Sequence, residues 1–390
     1  MWRRSDCCGN GCWPQPKMVT DQPVWWCLIV VLPCRWLIVF WFCKTAVLLM
    51  RVRWMSCWYV LLKCKLCGRE RSGIMGEWVW LATAVLTGGL IFFYWRANRR
   101  YHQLLSLVDV VTLPDVYSVH LENTRPVWVY LPPGYGRSDV RYPVLYVNDG
   151  QDAAPLRLHE TLARLYAARL LAPLIVVAVP TNEDRLHEYG TAVAPNAQGL
   201  GSRAEAYGRF LTEELMPLIN GRFRTLNKPE NTAILGASLG GLSAFDIAWN
   251  HPHLFGTVGV FSGSFWWRAA PDETRLIPNA LIAHEMVRHG QYRPGFRAWF
   301  EAGTRDETAD RDNNGVIDAI QDTLELIDEL EKLGYERGKE IVYVEVPAGK
   351  HNYDTWAKVL PDFLLWAFPA TANQTNGQQS SKASSLARPE

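Results

Sequence analysis

The sequence predicts an α/β fold: a mostly parallel eight-stranded sheet with helices on both faces, preceded by a transmembrane helix. Three observations predict the sheet. Beyond about residue 101, short apolar or alternating runs are separated by amphipathic stretches, the pattern of strand and helix in succession. Residues 174–179, LIVVAV, are apolar throughout, as a strand buried on both faces must be. Residues 232–241, TAILGASLGG, pass from a short apolar strand through a Gly-x-Ser-x-Gly pentad into a helical face of Leu242, Phe245, Ile247 and Ala248, which His251 and Pro252 stop.

Composition divides the 390-residue chain before any chemistry is argued. All nine cysteines lie between Cys7 and Cys67, and eight of the eighteen tryptophans fall in the first 58 residues. The remainder therefore has no disulfide, cysteine nucleophile or thiolate zinc site at its disposal. A net charge of +1 argues against a nucleic-acid partner, because phosphate recognition shows as a basic excess. The stretch 101–369 has the length of one domain with a large core.

Residues 1–74 mix Trp, Cys and Arg with apolar runs unlike an ordinary domain. Residues 25–43 are long enough to cross a bilayer but contain Pro33 and Arg35. Cys64 and Cys67 make a lone Cys-x-x-Cys with no second pair. The compositional break before Met75, which opens directly onto an apolar run, leads us to expect that residues 1–74 are not translated. Residues 75–100 are expected to form a membrane anchor. Its helix, 78–95, carries no charge over eighteen residues, has aromatics at both ends and is followed by Arg96, Arg99 and Arg100. Counted from Met75, that basic cluster places the following domain on the cytoplasmic side; Arg51, Arg53, Lys63, Lys65, Arg69 and Arg71 pull the other way.

In the domain, 116–122 and 126–131 alternate as a first antiparallel pair. Six more strands are expected at 142–147, 174–179, 232–235, 258–261, 297–300 and 341–346, with helices over 156–170, 204–219 and 316–333. Helices between the later strands make this an α/β-hydrolase sheet, antiparallel at its start and parallel after. The tail 370–390, rich in Ser, Gln, Asn and Ala, has the composition of a disordered segment.

The pentad reads as a nucleophile elbow, a sharp strand-to-helix turn that presents the Ser238 hydroxyl at the top of the sheet. A serine hydroxyl is a weak nucleophile. It needs a histidine to take its proton and a carboxylate to hold that histidine in the useful tautomer. The chain order in such sheets is serine, acid, histidine. The loop after the seventh strand, 303–307, offers two adjacent carboxylates, Asp306 and Glu307. Of the nine histidines only His351 follows it, in a glycine-containing loop after the last strand. For the oxyanion hole one N–H is expected from Leu239, and another from Gly150 or Gln151 after the third strand. Trp266 and Trp267, just after the sixth, are expected to line the acyl or alcohol pocket.

Residues 116–367 resemble the esterase family that includes enterochelin esterases, feruloyl esterases and S-formylglutathione hydrolase. The phrases that carry the likeness are YPVLYVNDGQD (142–152), RLHEY (185–189), ILGASLGG (234–241), SGSFWW (262–267), GTRD (303–306) and GKH (349–351), in that order. The resemblance implies serine esterase chemistry on an α/β-hydrolase fold, with no required cofactor and a small-molecule ester as substrate, and it selects Asp306 as the acid. It names neither the ester nor an oligomeric state. An acyltransferase would use the same triad, and a membrane-tethered binding protein could keep the fold without it.

A calcium loop is a further expectation. Asp310, Asp312 and Asn314 stand at alternate positions before Gly315, and Asp318 occupies the ninth position, although the twelfth is Gln321 rather than Glu. The same residues also suit an acidic lead-in to the following helix.

Overall fold

The computed structural model describes residues 25–32, 36–43, 73–137, 139–269 and 281–370, with side chains from residue 81 onward. Cys7, Cys8, Cys12, Cys64 and Cys67, most of 1–74 and the tail 371–390 lie outside the described residues. The N-terminal unit contains an antiparallel pair, β1 (Trp25–Leu32) and β2 (Trp36–Cys43). The helix α1 (Gly73–Leu105) contains the whole expected 78–95 segment. Its apolar side chains Leu81, Val85, Leu86, Leu90, Ile91 and Phe93 are exposed. Among the described residues no helix is long and apolar enough to cross a membrane; the expected span begins at Trp78, before the first described side chain.

The second unit is built on one eight-stranded sheet. Its strands are β3 (Asp109–Ser118), β4 (Asn123–Leu131), β5 (Val144–Asn148), β6 (Ile175–Val179), β7 (Thr232–Ala237), β8 (Thr257–Phe261), β9 (Arg297–Arg305) and β10 (Ile341–Lys350). They lie in the order β10-β9-β8-β7-β5-β6-β4-β3, and β4 is antiparallel to both of its neighbours while all later pairs are parallel. This is the expected hydrolase-like sheet. The first strand runs over 109–118 rather than the expected 116–122, and residues 119–122 form the turn, with Glu122 at φ 51°. A register shift between Leu113 and Val116, around Pro114, interrupts the alternation of the first half of β3, which is why the strand was expected to begin only at Val116.

Two apolar layers cover the sheet, and strand periodicity sorts the side chains between them. Val144, Tyr146, Ile175 and Val177 face one layer; Leu145, Val147, Val176 and Ala178 face the other. Every residue of β5, β6 and β8 is buried. At about 1.5–3 kcal/mol for each large apolar side chain fully removed from water, these central strands hold the domain together.

The helices are α2 (Leu158–Ala167), α3 (Arg185–Glu188), α4 (Ala204–Arg209), α5 (Met216–Arg222), α6 (Leu239–Asn250), α7 (Ile282–Arg288), α8 (Asp318–Lys332) and α9 (Tyr353–Ala367). Core residues of α2 and α9 pack on one face, and those of α4 to α8 on the other. The helix expected over 204–219 is divided: a six-residue π-turn, Phe210–Leu215, joins α4 to α5 immediately before Pro217. Proline has no N–H to donate and its ring excludes the carbonyl four residues back, so the wider turn falls where an unbroken α-helix could not continue.

Candidate active site

Ser238 sits between the end of β7 and the first turn of α6, at φ 56° and ψ −128°, a conformation that side-chain-bearing residues rarely adopt. Glycine makes the turn possible. A Cβ on Gly236 would run into the Gly240 carbonyl, and one on Gly241 would lie 2.9 Å from Val260. The Ser238 N–H donates to the Phe261 carbonyl at 2.8 Å, so hydrogen bonding to the end of β8 fixes the elbow to the sheet.

His351 follows β10 and precedes Asn352, whose side chain caps α9 by accepting from the Thr355 N–H at 3.1 Å. The cap fixes where the chain leaves the sheet, and the imidazole edge meets the Trp356 ring at 5.2 Å. His351 Nε2 is 2.8 Å from Ser238 Oγ. Asp306, at the end of β9, has a side chain only 1% exposed, and its Oδ2 lies 4.0 Å from His351 Nδ1. That separation is within ion-pair range and longer than a hydrogen bond. Both Asp306 carboxylate oxygens are buried without a hydrogen-bond partner among the described residues. Glu307, the neighbouring carboxylate, is at the surface. Burial pulls the His351 imidazolium below its ordinary value of 6.5; the Arg185 charge acts in the same direction, and Asp306 opposes both.

The expected oxyanion donors occupy suitable ends. Leu239 opens α6, and Gly150 opens the 3₁₀ turn Gly150–Asp152 directly after β5. The leading N–H groups of a helical turn have no intrahelical acceptor. Within the second turn only the later groups are used: Asp152 N–H donates to the Asp149 carbonyl and Ala153 N–H to that of Gly150. Gly150 must be glycine, since a Cβ there would lie 2.6 Å from the Ala178 backbone.

The two tryptophans part company. Trp266 is 48% exposed, whereas Trp267 is 1% exposed and packs on Gly190 and Gly201, where an added Cβ would lie 3.1 and 3.0 Å from its ring. Trp267 is therefore core rather than pocket wall. The expected calcium ligands do not converge either. Asp310 accepts from the backbone of Asn314 and Gly315, Asn314 from that of Val316 and Asp318 from that of Arg311, while Asp312 accepts from Gln321. Arg311 also lies between Asp318 and Asp322, at 3.6 and 2.6 Å. Among the described residues no group of three or more His, Cys, Asp and Glu is placed to hold a metal ion. The acidic lead-in to α8 is the reading these contacts support.

Two neighbours of the site escaped the sequence reading. Glu301, in mid-β9, is completely buried; burial and the nearby Asp306 push its carboxyl up to about 8, which favours its neutral form. Its Oε2 accepts from Ser262 Oγ at 3.3 Å, and Ser262 Oγ in turn accepts from Trp356 Nε1 at 2.8 Å. A charged residue in mid-strand at a core position is the only signal the sequence held. The second neighbour is Arg185, which forks onto Asp149 with Nε–Oδ1 at 2.6 Å and Nη2–Oδ2 at 2.7 Å.

Comparison with known proteins adds a family. The family model described as "Putative esterase" matches residues 118–367. An iron(III) enterobactin esterase of Dickeya dadantii is 25% identical over 280 residues, covering 70% of this chain and 58% of its own. The Bacillus subtilis protein YbbA is 28% identical over 163 residues, covering 41% of this chain and 64% of its own. The chain thus spans less than two thirds of the length of either relative. A solved ferulic acid esterase superposes with a TM-score of 0.51 at 19% identity, covering 67% of this chain and 98% of that one, which shows a shared fold.

Proposed function

Since the chain belongs to the esterase family whose model spans 118–367, we propose that it is a serine hydrolase of carboxylic esters working through Ser238, His351 and Asp306. The observation that carries the reading is the 2.8 Å approach of His351 Nε2 to the hydroxyl of a serine held at positive φ on a strand-to-helix turn. In the first half-reaction His351 Nε2 takes the Ser238 proton as Oγ attacks the ester carbonyl. The negative charge that develops on the carbonyl oxygen is met by the N–H of Leu239 and by that of Gly150 or Gln151. Collapse breaks the carbon–oxygen bond, and the departing alkoxide takes the proton back from His351. Water then repeats the sequence on the acyl-serine, releasing the carboxylic acid and restoring Ser238. Asp306 faces Nδ1, where it stabilises the imidazolium formed in each half. No step requires a cofactor.

Only neutral imidazole can take the serine proton. Because burial lowers the His351 value, kcat/KM should fall on acidification through a midpoint below 6.5. A screen of the purified chain against short acyl, feruloyl, acetyl-sugar and siderophore esters, with fluorophosphonate labelling located by mass spectrometry, tests the reading. Turnover of at least one ester and a label on Ser238 are expected. A folded protein with neither would sink the proposal.

The anchor belongs to this proposal. Apolar side chains exposed along the described part of α1, followed by Arg96, Arg99 and Arg100, suit a single span with the esterase on the cytoplasmic side. Protease shaving of intact cells should leave the domain whole, and its loss from unpermeabilised cells would reverse the assignment.

A further inference from the structure

The loop 149–152 has two tasks that conflict locally. On the proposed mechanism it must aim the N–H of Gly150 or Gln151 at the reacting carbonyl, and it must do so with Asp149 in the left-handed region, at φ 55° and ψ 44°. A non-glycine residue held there is strained and persists only where its surroundings fix it. Here they do. The Asp149 N–H donates to the Tyr189 hydroxyl at 2.8 Å, and Gln151 Nε2 donates to Oδ1 at 3.0 Å. The strongest hold is the two-point fork from Arg185, a geometry that guanidinium makes and ammonium cannot.

The same carboxylate touches the nucleophile helix. A Cβ on Gly240 would lie 2.7 Å from Asp149 Oδ2, and the adjacent Asn148 donates from Nδ2 to the Gly240 carbonyl at 2.9 Å. Asn148 is itself fixed, accepting from the Tyr207 hydroxyl at 2.8 Å. Asp149 is thus wedged between Arg185 and the first turn of α6, which begins with the other oxyanion donor, Leu239. Arg185 stands on α3, a single helical turn that cannot hold its own place. Three residues on, Glu188 makes a buried fork with Arg125 of β4 at 2.7 and 2.8 Å, and Arg125 also donates to the Pro180 carbonyl at 3.0 Å. The Arg185 side chain is 30% exposed, and its guanidinium lies 5.1 Å over the Tyr189 ring.

We propose that Arg185 is a positioning residue of this esterase site: its fork onto Asp149 sets the spacing between the oxyanion donors of the 149–152 loop and of α6. The inference rests on the proposed triad and goes beyond it. The groups facing His351 are Ser238 of the elbow, Asp306 after β9, Trp356 of α9 and Arg185 of α3, with Glu301 behind Asp306. Those facing Arg185 are Asp149, Tyr189 and Tyr353, the last bound to Asp152 at 2.7 Å. Removing a positive charge that lowers the His351 value raises that value. The acid limb of the pH–rate profile then moves to higher pH.

The test is kcat and KM of the full chain across pH for Arg185→Gln and Arg185→Lys, with thermal melts as a folding control. Losing one oxyanion donor costs about 10²–10³ in kcat. Arg185→Gln should approach a 10²-fold loss in kcat with KM changed less than about threefold, and its acid limb should move up. Arg185→Lys keeps the charge and loses the fork, so its limb should stay while kcat remains about tenfold low. Turnover within about threefold of wild type in either folded variant, or a loss carried by KM with an unmoved limb, overturns the proposal. Should Arg185→Gln not fold, Arg185→Lys decides alone. Ser238→Ala separates the two readings: full activity there removes the triad, whereas an inactive Ser238→Ala beside active Arg185 variants removes only the role of Arg185.

Discussion

Ser238→Ala is expected to lower turnover by about 10⁶-fold and His351→Ala by nearly as much, with both proteins folded. At about 1.4 kcal/mol per decade this is roughly 8 kcal/mol of transition-state stabilisation, more than any single contact at the site supplies. It is lost whole because the two groups act as one. Without Oγ there is no atom for His351 to activate at 2.8 Å, and without the imidazole Ser238 keeps its proton. The double variant should therefore be scarcely worse than either single one. Steady-state turnover of the most active ester, with near-ultraviolet circular dichroism to check packing, gives the answer. Wild-type rates from folded Ser238→Ala would remove the mechanism, and strictly additive losses would remove the coupling between the two residues.

Asp306→Asn should lower turnover by about 10⁴-fold, while Glu307→Gln stays within about threefold of wild type. Asp306 is buried with both oxygens unpartnered and faces Nδ1 at 4.0 Å, so the imidazolium formed in each half-reaction is the partner its charge awaits. An asparagine of the same shape carries no charge and can turn its amide N–H towards Nδ1, which favours the wrong tautomer. Because Asp306 raises the His351 value, its removal should also move the acid limb of the residual activity downward, opposite to the shift from Arg185→Gln. Near-normal turnover in Asp306→Asn together with loss in Glu307→Gln would exchange their roles.

The elbow was legible because its cause is local. Gly236, Ser238 and Gly240 must be close in sequence to make one sharp turn, and the strand and helix on either side carry their own periodicities. His351 was legible by chain order alone. What sequence could not carry was exposure. Asp306 and Glu307 are adjacent, yet the side chain of one is buried and the other residue is at the surface; Trp266 and Trp267 divide in the same way. Family likeness, not exposure, was what selected Asp306 over Glu307, and only geometry put Trp267 in the core. The 310–318 loop misled for a related reason: short polar side chains at alternate positions suit a cation and also suit backbone N–H groups, and in this loop they took the latter. The Arg185–Asp149 fork spans 36 residues and leaves no periodic trace. Both partners lay within stretches already singled out, but nothing in either stretch pointed to the other.

The sheet order has a consequence for how the protein is made. Ser238 ends a strand at the centre of the sheet, whereas His351 follows β10, the strand at its far edge, 113 residues later in the chain. At about 5–20 residues per second of synthesis, His351 follows Ser238 out of the ribosome by roughly 6–23 seconds. For most of that interval the elbow can already be formed on β5, β7 and β8, while on the proposed mechanism its serine stays chemically inert. On the proposed mechanism the nascent chain is thus born without activity, and acquires it only when the last edge of the sheet closes and α9 docks behind it.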